Sequence, residues 1–310
     1  MNTKTTPSLL SAWLIFIKER FAPVEHLLMV CFLVLGNSSI ACLLADQAWN
    51  EQKFAISFLV SLLFFFRLRC FDEIKDYDVD IKVNPERPLA RGLLTIKQVK
   101  IMFLSLTVIE LGITAWIGVY ALLAHSVAVA YSYLMYKEFF IGKYLSPHLT
   151  TYALTHTFVS ILVGYSIFAQ NTTIGLDAFT PAMFIFGVVN WALFNLFEFA
   201  RKTYSQEEER PNVDTYSSLF NPVGAGLLSL SQVLFALTVL WFVSEKSMGL
   251  VNLLIGAGLI AHGVAAVTVL VVTLIYMIKP TKFSAGLFRG VCGTYLIVFF
   301  LLLSYQGLFL

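Results

Sequence analysis

Charge is scarce in this chain. Of its 310 residues only 13% are Asp, Glu, Lys or Arg, against about 25% in ordinary soluble domains. A soluble all-helical fold would have to hide nearly every helix on all faces, so the scarcity argues against one. Cysteine is limited to Cys31, Cys42, Cys70 and Cys292, with no CxxC spacing. That leaves neither a disulfide frame nor a thiolate metal site, and the four read as small apolar packing residues. No basic groove interleaved with aromatics is present, so nucleic-acid binding finds no support. The N-terminus lacks a short signal peptide with a small-residue cleavage site, and its first apolar run reads as a retained span or interfacial helix. No polar segment is long enough for a soluble domain, so residues 1–310 read as a single transmembrane domain.

What the chain has instead is apolar length. It is 58% hydrophobic, with a mean hydropathy of +0.78. The apolar residues fall into continuous blocks separated by short polar segments, the pattern of an all-α polytopic membrane protein. Nine spans are expected, near 24–45, 53–70, 97–118, 120–137, 150–169, 179–199, 224–244, 249–277 and 286–308. Each must be helical, because hydrocarbon leaves open backbone groups unsatisfied. The blocks do not alternate as barrel strands do. The short block 120–137 is the weakest, and the cations support it. With nine spans and a cytoplasmic N-terminus, every Lys and Arg except Lys53 and Lys246 falls on the inner side or at an inner helix end. The charged loops are then cytoplasmic and the C-terminus lies on the opposite side.

The charge that exists is concentrated. The stretch "RCFDEIKDYDVDIKVNPERPLARG", residues 69–92, holds five acidic residues between 72 and 80. Asp72, Asp76 and Asp80 are spaced i, i+4, i+8, so a continuing helix would align them on one face. Glu73 and Asp78 point elsewhere. Like charges one turn apart oppose helix formation, and a divalent cation would offset that. Oxygen-only donors beside a diphosphate favour Mg²⁺, and the lack of a nearby histidine argues against zinc. Lys82, Arg87 and Arg91 follow, suited to phosphate. Pro85 and Pro88 stiffen their loop and Gly92 gives a permissive joint. Arg67 and Arg69 read either as partners in this site or as snorkelling interfacial residues.

A second polar cluster, "NWALFNLFEFARKTYSQEEERPNVDTYSS", begins inside the sixth span. Asn190 and Asn195 lie in its apolar part. Glu198 is spaced i, i+4 from Lys202, with Arg201 adjacent. A carboxylate near the end of a span calls for a partner, a metal or water, which makes Glu198 a site candidate with Asn195 orienting a ligand beside it. The run Glu207–Glu208–Glu209 reads as a solvated loop. Glu110, His125, His156 and His262 are polar points within the spans, the histidines reading as packing or hydrogen-bonding residues.

Two charged clusters on one side of a helical bundle fit a ligand with a diphosphate head and a long apolar tail. Metal and cations would hold the head and stabilise the charge that develops as diphosphate leaves, while apolar walls keep water from the allylic carbon. The first cluster resembles the aspartate-rich region of the UbiA superfamily of intramembrane prenyltransferases. That pattern is Asn or Asp, three residues, Asp, three residues, Asp, then a basic-proline loop. Here it reads "DEIKDYDVDIKVNPERPLARG", with Asp72 where Asn is common. The resemblance extends over nearly the whole chain in span count and in the placement of the polar regions. It implies nine helices around a central cavity, Mg²⁺, a polyprenyl diphosphate donor and an aromatic or lipophilic acceptor. By carry-over Asp72, Asp76 and Asp80 would bind diphosphate through magnesium, and Arg87 and Arg91 would lie in the capping loop. Glu198 would join the metal site, with Lys82, Asn195, Arg201 and Lys202 on the diphosphate. The second cluster departs from the pattern, carrying "EFARK" where many members have two aspartates. Lys202 would then contact diphosphate in place of a second acid. Two other readings share the same sequence: a terpene cyclase of the same superfamily, and a non-enzymatic transporter.

Overall fold

The structure is a computed structural model, and it describes residues 7–172, 179–211, 213–245 and 257–309. Helices α1 (Leu9–Arg20), α2 (Pro23–Leu44), α3 (Glu51–Lys75), α4 (Tyr77–Val83), α5 (Ile96–Ile117) and α6 (Val119–Tyr136) come first. They are followed by α7 (Gly142–Leu145), α8 (Leu149–Thr157), α9 (Val159–Asn171), α10 (Pro181–Arg201), α11 (Tyr216–Glu245), α12 (Ala257–Ile278) and α13 (Lys282–Phe309). Among the described residues there is no strand, and nine helical segments are long and apolar enough to cross a membrane. α8 and α9 together make one of these, Leu149–Asn171. The weak block at 120–137 is one of the nine, as α6. The protein is an all-α, multi-pass integral membrane protein.

Local chemistry sets the ends of the helices. Asn50 and Thr180 cap α3 and α10 by accepting from the amides of Lys53 and Met183, and Pro181 opens α10 where no amide is needed. Thr95 and Gln98 form a reciprocal capping box at the start of α5. α11 bends at Asn221, whose Oδ1 accepts from the amides of Val223 and Gly224 just beyond Pro222.

The spans pack in chain order, each on the next, and α13 packs back on α2 to close a ring. α2 also touches α9 and α10, and α10 touches α13, so these helices knit the ring across its middle. Asn37 and Asn190 exchange hydrogen bonds of 2.9 and 3.1 Å there. Gly164 of α9 leaves room for that pair, since a Cβ would collide with the Asn190 amide. Asn190 is thus a clasp between helices.

A second buried polar group joins four helices. The guanidinium of Arg67 (α3) donates to Glu110 (α5) from Nε at 3.0 Å and Nη2 at 3.0 Å, and from Nη1 to Ser132 (α6) at 2.7 Å. His125 (α6) lies 3.2 Å from Glu110 and 2.9 Å from Ser166 (α9). Arg67 and Glu110 have no exposed side-chain surface. Arg67 therefore neither snorkels to an interface nor reaches the acidic cluster; it is committed to the bundle interior.

Candidate active site

α3 runs past the apolar block and carries Asp72 on its last turn. The helix ends at Asp76, and α4 resumes at once, with the amide of Asp80 donating to the carbonyl of Asp76 at 2.8 Å. The chain stays helical enough to keep the three aspartates near one another, but their surroundings differ. Asp72 is 56% exposed, and its nearest ion-pair contact is Arg69 at 3.9 Å. Asp76 is also exposed, yet protein hems it in. That crowding, followed by the charge of Asp80, raises its carboxyl above the ordinary range. Asp80 is buried and takes both bonds from Arg87 Nη1, at 2.6 and 2.8 Å, and one from Asn84 at 3.0 Å. Burial works against its charge, but the Arg87 and Asn84 bonds outweigh burial and hold it below the usual carboxylate range.

The other residues of this segment serve the frame. Glu73 is buried and accepts from Arg20 of α1 and Arg69, each at 2.6 Å. Arg91 donates to Glu19 of α1 at 2.9 Å through both terminal nitrogens. Gly92 adopts φ of +76°, the left-handed joint its residue type allows. Lys82 projects to solvent.

From across the ring, α10 supplies the facing charges. Glu198 pairs with Arg201, and with Lys202 at 3.0 Å. Arg201 is 52% exposed at its side chain, and it and Asp72 attract one another across the intervening space. The two charged clusters, far apart in sequence, therefore share one rim. Asn195 lies deeper, its amide oxygen accepting from Thr157 and its nitrogen donating to Gln232 at 3.3 Å. The acidic run is not a free loop. Glu208 accepts two hydrogen bonds from Arg289, at 2.6 and 3.1 Å, and Glu209 accepts from Thr215 and Ser217.

A third group closes the rim between these two. Lys75 donates to Tyr152 at 3.0 Å and pairs with Glu138 at 2.9 Å, and the Tyr152 hydroxyl donates to Glu138 at 3.2 Å. His156 stacks on Tyr152 with ring centres 3.9 Å apart. Sequence reasoning did not place Lys75, Glu138 or Tyr152 in the site, and took His156 as a packing or hydrogen-bonding residue of a span. The one signal available was the i, i+4 spacing of Tyr152 and His156.

A residue model for the UbiA prenyltransferase family matches positions 29–282, which contain both charged clusters. The chain belongs to the UbiA prenyltransferase family. Membership makes prenyl transfer in a membrane its family-level activity. The UbiA chain also resembles two solved structures. One concerns the biosynthesis of digeranylgeranylglyceryl phosphate synthase in membranes; it shares 13% identity, with 97% of this chain and 99% of that chain covered at a TM-score of 0.64. The other is an apo UbiA homologue from Aeropyrum pernix K1, at 15% identity, 86% and 97% coverage and a TM-score of 0.58. At such identities the likeness is one of fold. None of the curated proteins compared with the sequence matches it. α1, whose Arg20 and Glu19 hold the aspartate loop, lies outside the stretch matched by the UbiA model.

Proposed function

We propose that the protein transfers a prenyl group from a polyprenyl diphosphate to an aromatic or lipophilic acceptor, with Mg²⁺, by ionisation of the allylic carbon–oxygen bond. One observation carries the reading. The exposed carboxylate of Asp72, with Asp76 one turn further on, faces Arg201 of the Arg201–Glu198–Lys202 cluster at the rim of a lipid-embedded ring of helices. Such a rim suits a ligand with an anionic head and an apolar tail. The charge bias of the loops supports a cytoplasmic rim, with the C-terminus on the other side.

The residues fit magnesium. Among the described residues no group of three or more Asp, Glu, His or Cys is arranged to hold a metal ion by itself. Mg²⁺ commonly takes one or two carboxylates, keeps its waters and adds substrate phosphate oxygens. Asp72 and Asp76 offer that minimum: both are exposed, one helical turn apart, and neither is tied up by a close ion pair as Asp80 is. Glu198 can add a third oxygen donor from α10. When bound, magnesium neutralises the diphosphate and makes it a better leaving group. Asp80 acts through Arg87, which it holds at the loop above the rim. Arg87, Arg201 and Lys202 bind the phosphate oxygens, Lys82 and Arg91 add positive field from the loop, and Asn195 orients the ligand below Glu198. The allylic carbon–oxygen bond breaks with its electron pair on diphosphate. The acceptor bonds to the carbon and gives up a proton, and the apolar helices below the rim exclude water meanwhile.

The test is diphosphate release from geranylgeranyl diphosphate by the purified protein in lipid nanodiscs that contain a phenol acceptor such as para-octylphenol. Release should require Mg²⁺ and stop with chelator. Asp76→Ala should reduce it by roughly a hundredfold or more, the scale of a lost transition-state contact, with unfolding unchanged. Full release by Asp76→Ala, or release without any divalent cation, would remove the assignment.

A further inference from the structure

His156 carries an unpartnered acceptor between the two charged arms of the rim. Its Nδ1 lies 2.8 Å from the backbone carbonyl of Tyr152. A carbonyl only accepts, so Nδ1 carries the proton and Nε2 presents its lone pair. That Nε2 is shielded from solvent and has no hydrogen-bond partner. The ring is held in place by stacking on Tyr152 and by the edge of Phe139, 5.8 Å away. Lys75, Glu138 and Glu198 all act on it electrostatically, which sets it between the aspartate arm and the α10 arm. The carboxylates around it are already paired, Glu138 with Lys75 and Glu198 with Arg201 and Lys202. Phe139 itself belongs to a strained turn in which Glu138, Phe139 and Phe140 have φ of 49°, 53° and 59°. Non-glycine residues held in that region gather where a structure serves a ligand or a switch.

We propose that His156 Nε2 receives the acceptor's hydroxyl. The inference rests on the prenyl-transfer reading and narrows it to a hydroxyl-bearing acceptor. The acceptor's O–H donates to Nε2. As the new bond to the allylic carbon forms and the diphosphate departs with its electron pair, the proton lost by the acceptor passes to Nε2. A lone pair without a donor in a site that water does not wet is costly, and a ligand hydroxyl removes that cost.

The experiment measures binding, not turnover. Para-octylphenol and para-octylanisole share ring and tail and differ by one methyl on the oxygen, so only the phenol can donate. In nanodiscs of one composition, the wild-type protein should bind the phenol about five- to tenfold tighter than the anisole, the worth of one hydrogen bond. His156→Phe should bind both alike, and His156→Gln, which keeps an acceptor oxygen, should regain part of the preference. Binding of inorganic diphosphate with Mg²⁺ should be unchanged in both variants, showing that the rim is intact. Equal binding of phenol and anisole by the wild type, or a preference that survives in His156→Phe, overturns the proposal. Mg²⁺-dependent binding of inorganic diphosphate at the rim does not involve His156. Its absence in the wild type would therefore count against the prenyl-transfer reading and not against this one.

Discussion

Asp80 and Glu208 look alike in the sequence, as acids in polar loops, and both are held by an arginine. Glu208 is the cleaner case. The bond from Arg289 is the main cause, and it holds the Glu208 carboxyl down at about 2 from an ordinary 4.5. A depressed carboxylate stabilises the fold fully above its unfolded value and loses that contribution as pH falls towards the folded one. The pair ties the loop after α10 to α13, and Arg289 also donates to the carbonyl of Thr203 at 2.9 Å. Glu208→Gln should therefore cost about 1–3 kcal/mol near neutral pH. The wild type should lose stability between pH 4.5 and about 2 through this group, and the variant should lack that component. Unfolding midpoints across that range, in one detergent, compare the two. Identical pH profiles would show that the ion pair contributes nothing.

At the scale of the helix, two glycines test how the site is framed. Gly92 ends the basic-proline loop at φ of +76°, and a Cβ there would touch nothing within 4 Å. Gly92→Ala should cost only the conformational term, about 1 kcal/mol. Gly164 is the opposite case, in an ordinary helical conformation but pressed against Asn190. Gly164→Ala should break the Asn37–Asn190 clasp and lower the unfolding midpoint by more than Gly92→Ala does; a smaller effect would mean that the clasp is slack. Only the first of these glycines was legible in the sequence, because "NPERPLARG" announces a turn locally. Gly164 matters through a helix that the sequence places elsewhere. The same division holds for the whole fold. Hydrocarbon requires long apolar helices, so the spans could be read directly, including the weak one at 120–137. The aspartate spacing could be read because it is local. The break at Asp76, the withdrawal of Asp80 to Arg87 and the entry of Glu138 and His156 into the rim depend on partners in other helices. So does the tying of Glu208 and Glu209, which leaves no free acidic loop.

Taken as a whole, the molecule hangs on a charge pair that apolar patterning would not supply. Arg67 and Glu110 are fully buried among α3, α5, α6 and α9, with His125 and Ser132 completing the set. The guanidinium also lies 4.6 Å from the ring centre of Phe64, a contact that favours the cation. Removing both charges together is often tolerated, whereas removing one strands the other in an apolar interior at about 3–5 kcal/mol. Glu110→Leu should thus destabilise strongly, and Arg67→Met nearly as much. The double variant Arg67→Met with Glu110→Leu should recover at least half of the summed loss. Thermal unfolding of the four proteins in one detergent gives the cycle. Strictly additive losses would show that Arg67 and Glu110 are satisfied independently, by Ser132 and His125. The recovered double variant should also keep diphosphate release, because α3 holds Asp72 and Asp76 in the same place whether the charges inside the ring are present or both gone.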